Sequence, residues 1–150
     1  DKALSEAERA VALNPNGAEA YYVLAGVVGC SGRWEESVLY AKKSIRLNPF
    51  PPLAYYWVLG RAHFMMGQYD EAIVALKKVL QMTPDFLTAH TFLAASYSSL
   101  GRDAEATAAI KEVLRIDPKF SIESHAKTLP YKDKADIERE VTALRKAGLK

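Results

Sequence analysis

The stretch AYYWVLGRAHFMMGQYDEAIVALKKVLQMTP, residues 54–84, contains nearly one whole structural period of this chain. Tyr56, Leu59, Gly60 and His63 lie three, four and seven positions apart and so share one helical face. Gly67 interrupts that helix, because glycine takes up the left-handed backbone that ends helices at little cost. Ala72, Leu76 and Val79 then resume the same period, and the Thr83-Pro84 step stops it, since proline cannot continue a helix. The unit reads as helix, glycine turn, helix, proline turn.

The same punctuation recurs along the chain. Residue-Pro steps stand at Asn14-Pro15, Asn48-Pro49, Thr83-Pro84 and Asp117-Pro118, with prolines spaced 34, 35 and 34 apart. Gly32, Gly67 and Gly101 repeat at 35 and 34, each followed by Arg33, Gln68 or Arg102. Phe50-Pro51-Pro52 accommodates the extra residue. The frame predicts helices near 1–13, 18–30 and 34–47, 53–65 and 69–82, 87–99 and 103–116, then near 120–128 and 134–147. Asn16, with Glu19 three residues on, has the spacing of a capping box.

These elements resemble the tetratricopeptide repeat, whose signature runs W-x2-L-G-x2-Y, then A-x3-F, then P, over about 34 residues. The matching residues are Tyr21, Leu24, Ala25, Val28, Ser37, Ala41 and Pro49; then Tyr56, Leu59, Gly60, His63, Ala72, Leu76 and Pro84; then His90, Leu93, Ala94, Tyr97, Ala106, Ile110 and Pro118. The resemblance implies an all-α fold, a right-handed α-solenoid of antiparallel helix pairs. Its expected divisions are a half repeat at 1–15, full repeats at 16–49, 50–84 and 85–118, and a C-terminal cap at 119–150. Small residues at Ala25, Gly60 and Ala94 allow close helix approach.

Because the chain opens at what aligns with the second helix of a repeat, it reads as a piece of a longer protein. The orphan helix is expected to leave Leu4 and Val11 partly uncovered and so to favour a homodimer there. The segment from Phe120-Ser121-Ile122 to Thr128-Leu129-Pro130, with Tyr131-Lys132-Asp133 and Leu144–Leu149, departs from the repeat and is expected to form a polar end cap. This tail resembles the ending of bacterial class III adenylate/guanylate cyclases and related regulators carrying such repeats. That likeness implies a signalling parent whose catalytic or DNA-binding domain lies outside this sequence.

Bulk properties narrow the function. The 150 residues carry 20 basic and 18 acidic side chains, a net charge of +2, which supplies no strong field for a phosphate backbone. Nucleic acid is therefore not an expected partner. The lone Cys30 cannot close an internal disulfide, which favours a reducing, cytoplasmic location. No apolar run approaches the roughly 20 residues of a membrane span.

Catalytic templates find no purchase. H-E-x-x-H, paired C-x-x-C, G-x-x-x-x-G-K-[ST] and G-x-S-x-G are all missing, so neither enzyme activity nor a cofactor or metal is expected. His63 and His90 fall where the repeat frame demands bulk and read as packing residues, and Cys30 reads as a small filler. Glu35-Glu36, Asp70-Glu71, Asp103 and Glu105 recur at the start of second helices, where the helix dipole favours carboxylates. Lys42-Lys43, Lys77-Lys78 and Lys111 recur near the opposite ends and read as a solvated ridge.

The resemblance places first helices on the concave wall. The groove candidates are accordingly Tyr22, Trp57, Arg61, Phe64, Met65, Thr91 and Ser98, expected to hold a peptide or partner protein. Tyr22, Trp57 and Arg61 lead, being the residue types that most often anchor interfaces. Trp57 and Arg61 lie four apart on one face, so the guanidinium is expected to stack beside the indole or to take a carboxylate. The points where some relatives grip a C-terminal carboxylate carry Tyr22, Gly26, Trp57, Thr91 and Ala95, leaving Arg61 as the only clamp-like residue.

Overall fold

A computed structural model describes residues 2–150. In chain order the helices are α1 (Lys2–Leu13), α2 (Ala18–Cys30), α3 (Trp34–Leu47), α4 (Leu53–Met65), α5 (Tyr69–Met82), α6 (Leu87–Ser99), α7 (Asp103–Ile116), α8 (Ile122–Ala126) and α9 (Lys134–Ala147). No strand occurs among the described residues. The chain is an all-α solenoid of antiparallel pairs, α2 with α3, α4 with α5 and α6 with α7, and α1 stands alone before them.

The turns follow the chemistry of their residues. Gly32, Gly67 and Gly101 have φ of +80°, +72° and +72°, the left-handed region that reverses the chain within a pair. Carboxylates in the first turn of the second helices pair with the turn cations. Arg33 Nε donates to Glu36 Oε1 at 2.6 Å, and Arg102 Nε to Glu105 Oε1 at 2.6 Å. Both pairs are solvated, so they fix the turn geometry locally and add little to stability.

Small residues set the spacing within pairs. Ala25 and Ala94 are fully buried, and a Cβ built on Gly60 would lie 3.0 Å from Leu76 Cγ. Ser37 is wholly buried and donates from Oγ to the Ala25 carbonyl at 2.8 Å, which satisfies a hydroxyl inside the core. His63 and His90 are buried as the frame requires. His63 Nδ1 lies 2.6 Å from Gln68 Oε1, and His90 Nε2 donates to the Pro84 carbonyl at 2.8 Å.

Curvature follows from which helices meet. α2 touches α4 and α4 touches α6, whereas α3, α5 and α7 make no contact with one another among the described residues. The first helices therefore form the inner wall and the second helices splay on the outside.

Two expectations are corrected. The N-cap of α2 is Gly17, with no side-chain cap, because the turn closes through a Gly17 N–H to Asn14 carbonyl bond of 2.9 Å. Glu19 is thereby free of capping and accepts instead from the Tyr55 hydroxyl of the next repeat at 2.9 Å. The tail, expected to be a polar end cap, does more than close the last repeat: α9 packs chiefly on α6 and also reaches α4 and α7. Val141, Leu144 and Leu149 give it an apolar face that joins the main core.

Candidate functional site

On the inner wall, α2 and α4 present a shallow cavity of about 310 Å³ whose rim includes Tyr22, Cys30, Trp57 and Arg61. Gly26 opens it, since a Cβ there would meet nothing within 4 Å. Tyr22 is held by stacking on Tyr55, with ring centroids 5.0 Å apart. Burial first, and then the hydrogen bond to Glu19, raises the Tyr55 phenol above its ordinary pKa, so it remains a neutral donor.

Trp57 has two duties. Its indole meets Phe86 at 5.5 Å and Phe92 edge-on at 5.1 Å, tying α4 to the next repeat, while its remaining surface borders the cavity. Arg61 lies one turn on. Its guanidinium carbon sits 6.0 Å from the Trp34 ring centroid and 5.9 Å from that of Tyr131, where the aromatic faces attract the cation. Its Nε is buried and has no hydrogen-bond partner among the described residues. A buried donor left in that state costs about 1–3 kcal/mol. The site therefore sets a cation, one of whose N–H groups is buried and unpaired, between aromatic surfaces at the cavity rim.

Of the residues expected in an open groove, Tyr22, Trp57 and Arg61 are brought together at this cavity. Phe64, Met65 and Thr91 are corrected: each is at most 1% exposed and none is available to a partner. Phe64 is spent on aromatic contacts with Tyr69 and Phe92. Met65 gives its carbonyl to Arg139 of α9 at 2.6 Å. Thr91 is fully buried on α6, as is Ala95 one turn on, and its hydroxyl donates to the Thr88 carbonyl at 2.7 Å. Ser98 is half-buried and its carbonyl accepts from the Gly101 N–H at 3.0 Å as part of the turn.

Residues missed by sequence reasoning come from the tail and from the start of α3. Trp34 Nε1 donates to Asp136 Oδ2 at 3.1 Å, and the Trp34 ring meets Tyr131 edge-on at 5.5 Å. Glu140, with no exposed surface, is held by His125 Nε2 at 2.6 Å and the Tyr131 hydroxyl at 2.6 Å. Burial, foremost, pushes the Tyr131 phenol far above its ordinary range, so it acts only as a donor to Glu140. These pairings span up to 102 residues and have no local spacing signal. No group of three or more His, Cys, Asp or Glu arranged to hold a metal occurs among the described residues. None of the described helices is long and apolar enough to cross a membrane.

Comparison with known proteins agrees with this fold. No curated protein matches the sequence. Among solved structures, MamA superposes with a TM-score of 0.73 at 24% identity, over 96% of this chain and 84% of that one. YrrB, a TPR protein with an unusual peptide-binding site, gives 0.70 at 21% identity, over 97% and 75%. PilW, a type IV pilus biogenesis factor, gives 0.70 at 22% identity, over 98% and 65%. At these identities the likeness is one of fold. The tetratricopeptide repeat family model matches residues 63–129, and the α2–α3 pair before that stretch continues the same solenoid.

Proposed function

We propose that the chain is a non-catalytic, cytoplasmic scaffold that holds a peptide or partner-protein segment against the α2–α4 part of its inner wall. The observation that carries this reading is Arg61, an incompletely hydrogen-bonded guanidinium beside Tyr22 and Trp57 at an open cavity. Tryptophan, tyrosine and arginine are the residue types most enriched among the anchors of protein interfaces. YrrB, of the same fold, is itself a protein with a peptide-binding site. A regulatory or oligomerisation role in a bacterial nucleotidyl cyclase or transcriptional regulator rests on the tail sequence alone.

The test is selection of a displayed peptide library on the immobilised chain, with the enriched peptides re-measured on Arg61→Ala and on Val74→Ala. Val74 is exposed on α5 and serves as the outer-surface control. Binding at least about ten-fold weaker on Arg61→Ala and unchanged on Val74→Ala is expected, since a charge-assisted hydrogen bond contributes about 1.5–3 kcal/mol. Peptides indifferent to Arg61→Ala would remove the inner-wall reading. Arg61 is the better probe because Trp57→Ala also strips the contacts to Phe86 and Phe92.

A second reading, self-association through the N-terminal half repeat, is favoured by a groove of about 520 Å³ between α1 and α2. It is lined by small and apolar residues including Ala3, Ala7, Ala10, Val23 and Val27.

A further inference from the structure

The tail follows an unusual course for a terminal segment. Going along it, the Lys132 N–H donates to the Cys30 carbonyl at 3.0 Å, at the end of α2. Asp136 accepts from Trp34 at the start of α3, and Arg139 Nη1 donates to the Met65 carbonyl at the end of α4. The rest of α9 lies on α6, and Gly148 comes to rest near Ile110 of α7. One helix and its leader thus cross all three full repeats in chain order, on the ends and inner faces of the first helices.

This strap has its own polar interior. The fully buried Glu140 takes both of its hydrogen bonds from tail residues, His125 and Tyr131. Lifting the strap from the repeats therefore strands no charge within them. What ties its leading half to the first two repeats is the Lys132, Asp136 and Arg139 bonds with the Tyr131 ring edge on Trp34. The repeats, for their part, are held by neighbour contacts and by their own glycine turns, as solenoid repeats generally are.

The strap also abuts the open cavity. Cys30 and Arg61 line that cavity, while the Cys30 carbonyl and the Arg61 guanidinium face Lys132 and Tyr131 on the other side. A segment that draws Arg61 towards itself takes the cation away from Tyr131.

We propose that residues 122–150 form an internal occupant of the inner wall that opens as a unit, and that a partner segment engaging Arg61 competes with it for α4 and α6. The proposal rests on the reading of the inner wall as a protein-binding surface. It gives the wall a closed state, with α9 packed on α6, and an open state in which the groove runs the length of the three first helices.

The test is native-state hydrogen exchange of the full chain in graded denaturant, read helix by helix by mass spectrometry. In the parent chain the α9 amides are expected to exchange through an opening with a weaker denaturant dependence than those of α4 and α5. The pair Asp136→Ala, Arg139→Ala is expected to speed α9 exchange about ten-fold or more, as loss of two hydrogen bonds predicts, and to leave α2–α5 unchanged. A single rate and slope shared by α9 and α4–α5 in the parent chain would overturn the proposal, whatever the variant does. Because no ligand is used, that failure leaves the Arg61 peptide test standing, and loss of peptide binding leaves strap opening standing.

Discussion

Two glycines separate backbone strain from packing. Gly67 has φ of +72°, and a Cβ there would meet nothing within 4 Å, so Gly67→Ala introduces left-handed strain alone. The expected loss is about 1 kcal/mol, read as a lower midpoint in urea. Gly60 has ordinary helical backbone but would bring a Cβ to 3.0 Å from Leu76. Alanine there gains about 1 kcal/mol of helix propensity and spends a similar amount on the contact, so Gly60→Ala is expected within about 1 kcal/mol of the parent. Gly60→Val adds further bulk against fully buried Leu76 and should cost roughly 1–3 kcal/mol. The role of both glycines was legible in the repeat frame, because turn and close-approach positions recur with the period.

His63 makes stability depend on pH. Burial, opposed by the Gln68 hydrogen bond, lowers its pKa below the ordinary 6.5. The unfolded chain therefore takes up a proton at His63 before the folded chain does. The stabilisation is complete above pH 6.5 and is lost as pH falls through the window from there to the lower folded value. Urea midpoints at pH 7.5 and 5.5 are expected to differ more for the parent than for His63→Phe, which fills the same site without a titrating ring. Equal differences in the two chains would show that His63 is not a source of the dependence.

Among the elements, the tail shows where reading a sequence stops. Helices α2 to α7 were legible because each buries a stripe against a neighbour one repeat away, and such a stripe has a period. The bounds of α9 were also legible, from Asp133 at its start, which caps Ala135, and from Gly148 at its end. Its destination was not, since Asp136 finds Trp34 and Arg139 finds Met65 across distances in sequence that no periodicity encodes. The same blindness explains the site residues. Phe64, Met65 and Thr91 sit in frame for an open groove and are buried, on helices that the distant α9 also packs against. Trp34→Phe tests the join, as it keeps the ring packed against Tyr131 and removes the Nε1 donor to Asp136. Asp136 is 6% exposed and would lose its indole donor while keeping the 3.8 Å approach of Arg139, so a loss of about 1–2 kcal/mol is expected by urea denaturation. No change would mean that the indole contributes by shape alone.

At the scale of the whole molecule, the two ends of the solenoid are finished differently. The C-terminal end is covered by a segment of the chain itself, whereas α1, among the described residues, packs chiefly on α2. Leu4 and Val11, expected to be partly uncovered, are half-buried against the small Ala7, Leu24 and Val28 cluster. Both are thus partly uncovered, and more exposed apolar surface lies at Leu13, 76% exposed, and at Val23, 43% exposed beside the Ala3, Ala7 and Ala10 groove. In a longer stack this groove is where a preceding first helix would lie, so its natural filler is a helix. A second copy can supply one by laying its own α1 into the groove across a two-fold axis, each copy covering the other. Sedimentation velocity from micromolar to millimolar concentration is expected to show a monomer–dimer equilibrium, and Val23→Glu to shift it to monomer by placing a charge in the covered groove. A parent chain that stays monomeric throughout would leave the groove free for a helix of another protein or of a longer form of this chain. A dimer indifferent to Val23→Glu would move the contact off α1 and α2.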